Sequence, residues 1–357
     1  VSVDLGKKDP ALRFPLQMPP SPETTASATE IPRITVFDYN ESEFQKWSAT
    51  SLDVCLPPPK GINVRWINID GVRNHEVVER IGRCFGLHPL AIEDILNTSQ
   101  QPKAEVLPEY GFIVIRMFHH DGNSQEMISE QISIVFGDRF VLSFQEVEGD
   151  VFDPIRRLIG EPSGRIRRGK ADYLAYSLVD VIVDFYFVML DEIGEKIEEA
   201  QEQLIANPST EILRDIYAIK RKVVDLRRFT WPVREIVLTL EREAPDLFDS
   251  TTLPYLRDLY DHVIQITDHI EIYREWLASM LDIYLSSVTN RLNEVIKFLT
   301  VLSTIALPPT VIGSWYGMNF VSQMPELEWP LFYPLLFLLM ASMMIAMLAM
   351  FRRRHWI

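Results

Sequence analysis

The chain is poor in cysteine, with only Cys55 and Cys84 in 357 residues. Their spacing makes neither a zinc knuckle nor a disulfide framework, so the expectation is two reduced thiols, as in a cytosolic domain. Positive charge is also short: 35 Lys and Arg stand against 50 Asp and Glu, for a formal net charge of -15. That balance excludes a nucleic-acid binder, whose phosphates need a basic face, and it suits a protein that handles cations. Residues 1–30 have no apolar run, so no signal peptide is visible. There is no glycine-rich phosphate loop, and no nucleophile–base pair or metal cluster has catalytic spacing, which argues against an enzyme. Between Tyr255 and Leu307 both glycine and proline are missing. If helical, that stretch alone is about 80 Å long.

What is present divides the chain. Residues 1–32 are rich in Pro, Ser and Thr and are expected to be disordered. Residues 33–170 read as an α/β cytosolic domain. Strand-like runs lie at Ile34–Phe37, Val64–Ile69, Phe112–Phe118, Ile132–Phe136 and Phe140–Phe144, the last two flanking a Gly137-Asp138-Arg139 turn. Helices are expected at Asn74–Phe85 and Pro89–Asn97. Residues 171–292 form long helices, Asp172–Ile205, Thr210–Glu243 and one starting near Thr252, with Pro232 a kink.

Two charge-free apolar stretches follow, Phe298–Trp315 and Leu331–Phe351, each long enough to cross a bilayer about 30 Å thick. The expected layout is a first transmembrane helix at 293–315, an outer loop at 316–330, a second transmembrane helix at 331–351 and a basic tail at 352–357. Arg352, Arg353 and Arg354 follow the second span, and Arg291 and Lys297 precede the first. The segment 314–330 holds no Lys or Arg, so both termini are expected in the cytosol.

Polar residues in and before the first span fall in register. Ser286, Asn293, Thr300 and Leu307 are spaced by seven, as are Thr289, Ile296, Ser303 and Thr310. These are the a and d positions of a heptad. A stripe of hydroxyls and amides suits several copies lining a wet axis; it also suits ordinary helix–helix packing, where Ser and Thr are common. Pro308-Pro309 frees carbonyls that need protein or water beside them.

The first span ends in Tyr316-Gly317-Met318-Asn319-Phe320, followed by Met324-Pro325-Glu326-Leu327. Together with Trp66-Ile67-Asn68, His88–Asn97, Asp150–Pro154 and Tyr284–Asn290, this resembles the CorA magnesium channel family from about residue 33 onward. The resemblance implies a funnel-shaped homopentamer in the plasma (inner) membrane that passes Mg2+, and often Co2+ and Ni2+, through a pore lined by the long helix. It also implies a selectivity filter at Gly317, Met318 and Asn319. Val321-Ser322-Gln323 departs from some relatives, and a zinc-transporting branch shares the architecture. A Zn2+ transporter and a membrane-tethered sensor without conduction are therefore the alternatives.

The chemistry is coherent with a hydrated divalent ion. Mg2+ sheds water reluctantly, and the Gly317 carbonyl and Asn319 amide oxygen accept hydrogen bonds from its shell. Five carboxylates would hold the ion too tightly to release it. Asn293, Thr300 and Thr310 supply further polar rings; Ile296, Leu299 and Leu307 suit a hydrophobic constriction; Asp282 marks the cytosolic end. Glu326 and Glu328 in the outer loop raise local cation concentration or are simply solvated. In the resembled family, residues at the positions of Glu93, Asp94 and Asp258 share regulatory Mg2+ between subunits. Asp180 and Asp184, one turn apart, suggest a second site. His262 and His269 suit a transition metal only if a third ligand joins them.

Overall fold

The computed structural model describes residues 32–50, 53–120, 127–146, 149–162, 164–244, 247–318, 329–354 and 356. The segment expected to be disordered, 1–32, lies outside the described residues except for Pro32. The chain divides into two compact units, residues 1–202 with 214–278, and residues 203–213 with 279–357.

The first unit is built on one seven-stranded sheet. Its strands are β1 (Arg33–Tyr39), β2 (Phe44–Ala49), β3 (Val64–Asp70), β4 (Lys103–Val106), β5 (Gly111–His120), β6 (Met127–Phe136) and β7 (Phe140–Gln145), in the order β2-β1-β3-β7-β6-β5-β4. Among the described residues only β3 and β7 pair in parallel. The five expected strands are all present and occupy the sheet's centre. β3 is buried from Val64 to Ile69, as a strand covered on both faces must be. Phe37 stacks on Trp66 at 4.7 Å, and Arg65 makes a buried bidentate pair with Asp38 at 2.7 and 2.8 Å. β2 and β4 are the edges, the one exposed or half-buried at each position and the other half-buried throughout, and neither has the buried run that marks a strand in the sequence.

Short helices α1 (His75–Cys84), α2 (Pro89–Leu96), α3 (Asp153–Gly160) and α4 (Arg165–Arg168) join the sheet. Asn74 caps α1 by accepting from the Val77 amide at 3.3 Å. Gly86, at φ +68°, turns the chain after it. His88 caps α2 through Nδ1, with Pro89 in the first turn. Val78, Ile81, Ile92 and Ile95 pack these helices against Ile67 and Ile69.

The cysteine expectation is overturned: Cys55 and Cys84 are joined by a disulfide, with Cα atoms 5.4 Å apart. Cys55 ends a single 3-10 turn, Asp53–Cys55, and Cys84 ends α1. Residue spacing carried no sign of this, because the fold brings the two ends together.

Four longer helices complete the chain, α5 (Ala171–Ala206), α6 (Thr210–Glu243), α7 (Leu253–Tyr316) and α8 (Phe332–Arg353). The expected bounds of α6 are met, and Pro232 lies inside it without ending it. α5, α7 and α8 are each long and apolar enough to cross a membrane. The apolar stretch of α5 is 83% buried, so it serves the core of the first unit. Phe118 meets Tyr186 edge-on at 5.7 Å, and the Tyr186 hydroxyl donates to the Arg116 carbonyl. The corresponding stretches of α7 and α8 are each 6% buried, leaving apolar surface for lipid or other chains.

Candidate functional site

In the first unit, the regulatory acidic residues expected from the sequence fall on α5, α7 and α2. Asp180 and Asp184 lie one turn apart on α5. The fold sets His262 of α7 against them, so that a ligand atom of each lies within 4.8 Å of the others. His262, expected to pair with His269, instead joins Asp180 and Asp184, a meeting that sequence spacing did not show; its side chain is 13% exposed. Asp258 stands one turn before it, more than half exposed, with a carboxylate oxygen 3.9 Å from Nε2. Burial first, then the charge of Asp180, raises the Tyr176 hydroxyl far above the usual tyrosine range, with a smaller push from Asp258. His269 sits apart, beside Asp191. Burial raises that carboxyl's pKa, against the charge of His269.

Two carboxylates and an imidazole make a mixed oxygen and nitrogen donor set. Imidazole suits Co2+, Ni2+ or Zn2+ better than Mg2+, which prefers oxygen alone. The cluster therefore fits a transition ion, and Mg2+ through its carboxylates.

Glu93 and Asp94 lie on α2. Glu93 is exposed, whereas Asp94 is held. Its Oδ2 accepts from Lys103 Nζ at 2.6 Å, its Oδ1 from Gln100 Nε2, and its backbone carbonyl from Gln131 Nε2 at 2.9 Å. Lys103 also reaches Glu105 Oε1 at 2.6 Å. Burial works against the Lys103 ammonium, but its bonds to Asp94 and Glu105 outweigh this and raise its pKa. Arg116 donates to the carbonyls of Thr98 and Gln100 and fixes the intervening loop. Asp94 offers oxygen donors alone, which fit Mg2+. Sequence reading missed Lys103 as its partner.

In the second unit, the predicted stripe lies on the part of α7 from Ser279 to Tyr316. Asp282, Thr289, Asn293, Ile296, Leu299, Thr300, Ser303, Leu307 and Thr310 are all exposed. Asp282 extends the row of Thr289, Ile296, Ser303 and Thr310, whereas Leu299 falls at the flank of the stripe. The hydroxyls of Thr289, Thr300 and Thr310 donate to the carbonyls of Leu285, Ile296 and Ala306, at 2.7 to 2.8 Å. Each proton is thereby committed to the helix, leaving the outward oxygen as an acceptor. The helix runs on through Pro308 and Pro309. Arg291 donates to the Asn207 side chain at 2.8 Å.

α7 ends at Tyr316, which meets Phe332 of α8 edge-on at 5.2 Å. The Gly317 amide donates to the Gly313 carbonyl at 2.9 Å. A Cβ on Gly317 would lie 3.0 Å from that oxygen, so a side chain there would crowd the helix end and push the carbonyl aside by a few tenths of an ångström. Met318 is exposed. Asn319, Glu326 and Glu328 lie outside the described residues.

Residues 63–353 match the family described as CorA-like Mg2+ transporter protein. The cobalt/magnesium transport protein CorA of Thermotoga maritima is 44% identical over 324 residues, covering 91% of this chain and 92% of its own. The complete structure of the CorA magnesium transporter from Methanocaldococcus jannaschii superposes with a TM-score of 0.78 at 21% identity, covering 91% and 98%. The ZntB cytoplasmic domain from Vibrio parahaemolyticus gives 0.59 at 16% identity, covering 73% and 100%.

Proposed function

The chain belongs to the CorA-like Mg2+ transporter family and is a membrane transporter of divalent cations; from that premise we propose that it is a Mg2+ channel, open also to Co2+ and gated by cytosolic Mg2+. Five copies line an axial pore with α7, α8 lies outside them, and both termini face the cytosol. Ions enter at the ring of Gly317, Met318 and Asn319. The observation that carries this reading is the outward face of α7: a register of hydroxyls and an amide, exposed in the single chain, whose threonine protons are already spent on the helix. Such oxygens only accept. The water shell of a cation only donates, so the stripe favours hydrated cations over anions. A double charge moving through 100 mV gains about 4.6 kcal/mol, which drives entry without ATP.

Gating follows from differential affinity. Mg2+ bound at Glu93, Asp94 and Asp258 between neighbouring subunits, and at Asp180 and Asp184, offsets carboxylate repulsion and favours the closed ring. Loss of Mg2+ shifts the population toward open. Mg2+ flux into proteoliposomes tests the filter. Asn319→Ala abolishes flux with the oligomer intact, and undiminished flux removes the assignment. Excess Mg2+ also suppresses Zn2+ entry; failure to compete would favour a zinc transporter.

A further inference from the structure

Asp94 is not a bare carboxylate awaiting an ion. Lys103 Nζ lies 2.6 Å from Asp94 Oδ2 and 2.6 Å from Glu105 Oε1. One ammonium thus bridges two carboxylates, the position a small cation would take. The Asp94 side chain is 14% exposed and that of Lys103 31% exposed, so water screens the contact only in part. The rest of the setting is rigid. Gln100 holds the second carboxylate oxygen, Gln131 holds the Asp94 carbonyl, and Arg116 anchors the carbonyls of Thr98 and Gln100. A carboxylate has about four lone-pair sites. Lys103 and Gln100 use one on each oxygen, so a hydrated divalent ion approaches the remaining ones against a fixed positive charge.

We propose that Lys103 is a tethered competitor of the divalent cation at Asp94 and sets the Mg2+ concentration at which the cytosolic domain responds. This rests on the regulatory role given to Asp94 above and adds the residue that tunes it. With the ammonium in place, Mg2+ gains from Asp94 only what remains after sharing the carboxylate, so the site fills at high Mg2+ and empties when the ion is scarce. Without it, Asp94 and Glu105 both turn their full charge to the ion, and the domain stays loaded at concentrations where it should have let go. Glu105 has a secondary part: it draws the ammonium partly away from Asp94.

The test uses the full chain in detergent. The midpoint of unfolding temperature is followed against MgCl2, which reports binding without transport. Lys103→Met lowers the half-effective Mg2+ concentration about two- to fivefold, the scale of one partly screened charge contact. Lys103→Gln does the same, and covers the case in which the methionine variant folds poorly. Lys103→Arg keeps the charge and the wild-type concentration, which a merely structural lysine would not separate from methionine. In proteoliposomes, the internal Mg2+ that halves flux falls by the same factor for Lys103→Met. An unchanged or raised concentration for both neutral variants, beside a weakened response in Asp94→Asn, overturns the competitor and leaves the regulatory role of Asp94 standing. A wild-type response in Asp94→Asn removes that role and the inference with it.

Discussion

Asp70, the last residue of β3, carries a carboxyl whose pKa is raised to about 6. Burial is the largest cause and the charge of Asp150 the next. Arg156, Arg33 and a hydrogen bond from Asn68 at 2.7 Å pull the other way. The unfolded value is near 3.9, so between pH 4 and 6 the folded protein binds the extra proton. The favourable contribution is therefore present at low pH and lost as pH rises through 6. Asp70→Asn removes the charge while keeping an oxygen for Asn68. Above pH 7 the variant is expected to be more stable than wild type, by on the order of 2 kcal/mol, and at pH 4.5 the difference should fall to about a third of that. Thermal melts of the two proteins at both pH values check this; a variant less stable at pH 7.5 would show that the network needs the carboxylate ionised.

The disulfide joins two elements, the Asp53–Cys55 turn and the end of α1, across a sequence separation of 29. Closing a loop of that size stabilises the fold by about 3.6 kcal/mol in the chain-entropy account. Dithiothreitol or Cys55→Ser is expected to lower the melting temperature of the α/β domain, with no further loss on adding reductant to the variant. A melt insensitive to reductant would mean that the bond contributes nothing. The pair also shows where sequence stops being informative. Elements with strong periodicity or local caps were legible: Asn74 and Gly86 bracket α1, and the long helices fall where glycine and proline leave room. β2 and β4 were not, because an edge strand needs no apolar alternation to pair. The candidate site divides the same way. The α7 stripe is local, a matter of spacing by seven. The Cys55–Cys84 bond, the approach of His262 to Asp180 and Asp184, and the grip of Lys103 on Asp94 join residues brought together by the fold, and no periodicity announces them.

For the whole molecule, the decisive quantity is what the single chain leaves uncovered. The apolar stretches of α7 and α8 are each 6% buried, and Asn293, Thr300, Ser303 and Thr310 stand exposed among apolar neighbours. A lone protomer in a bilayer would turn some of these polar groups to hydrocarbon, which polar membrane residues avoid by facing protein or water. Ser and Thr gain when they face another helix or a wet axis. A closed ring of identical copies satisfies every protomer alike, whereas an open chain leaves its end stripes facing lipid. The pentamer proposed above is expected to survive mild detergent, with a protein mass of about 206 kDa, five times the 41.3 kDa protomer. Light scattering with the detergent contribution subtracted measures it. Replacing Asn293 and Thr300 together by leucine should leave the mass unchanged, since leucine seams also associate, while closing the wet path and stopping Mg2+ flux. A stable monomer, or a leucine-seamed variant that still conducts, would mean that the α7 stripe is packing surface and that the ion travels elsewhere.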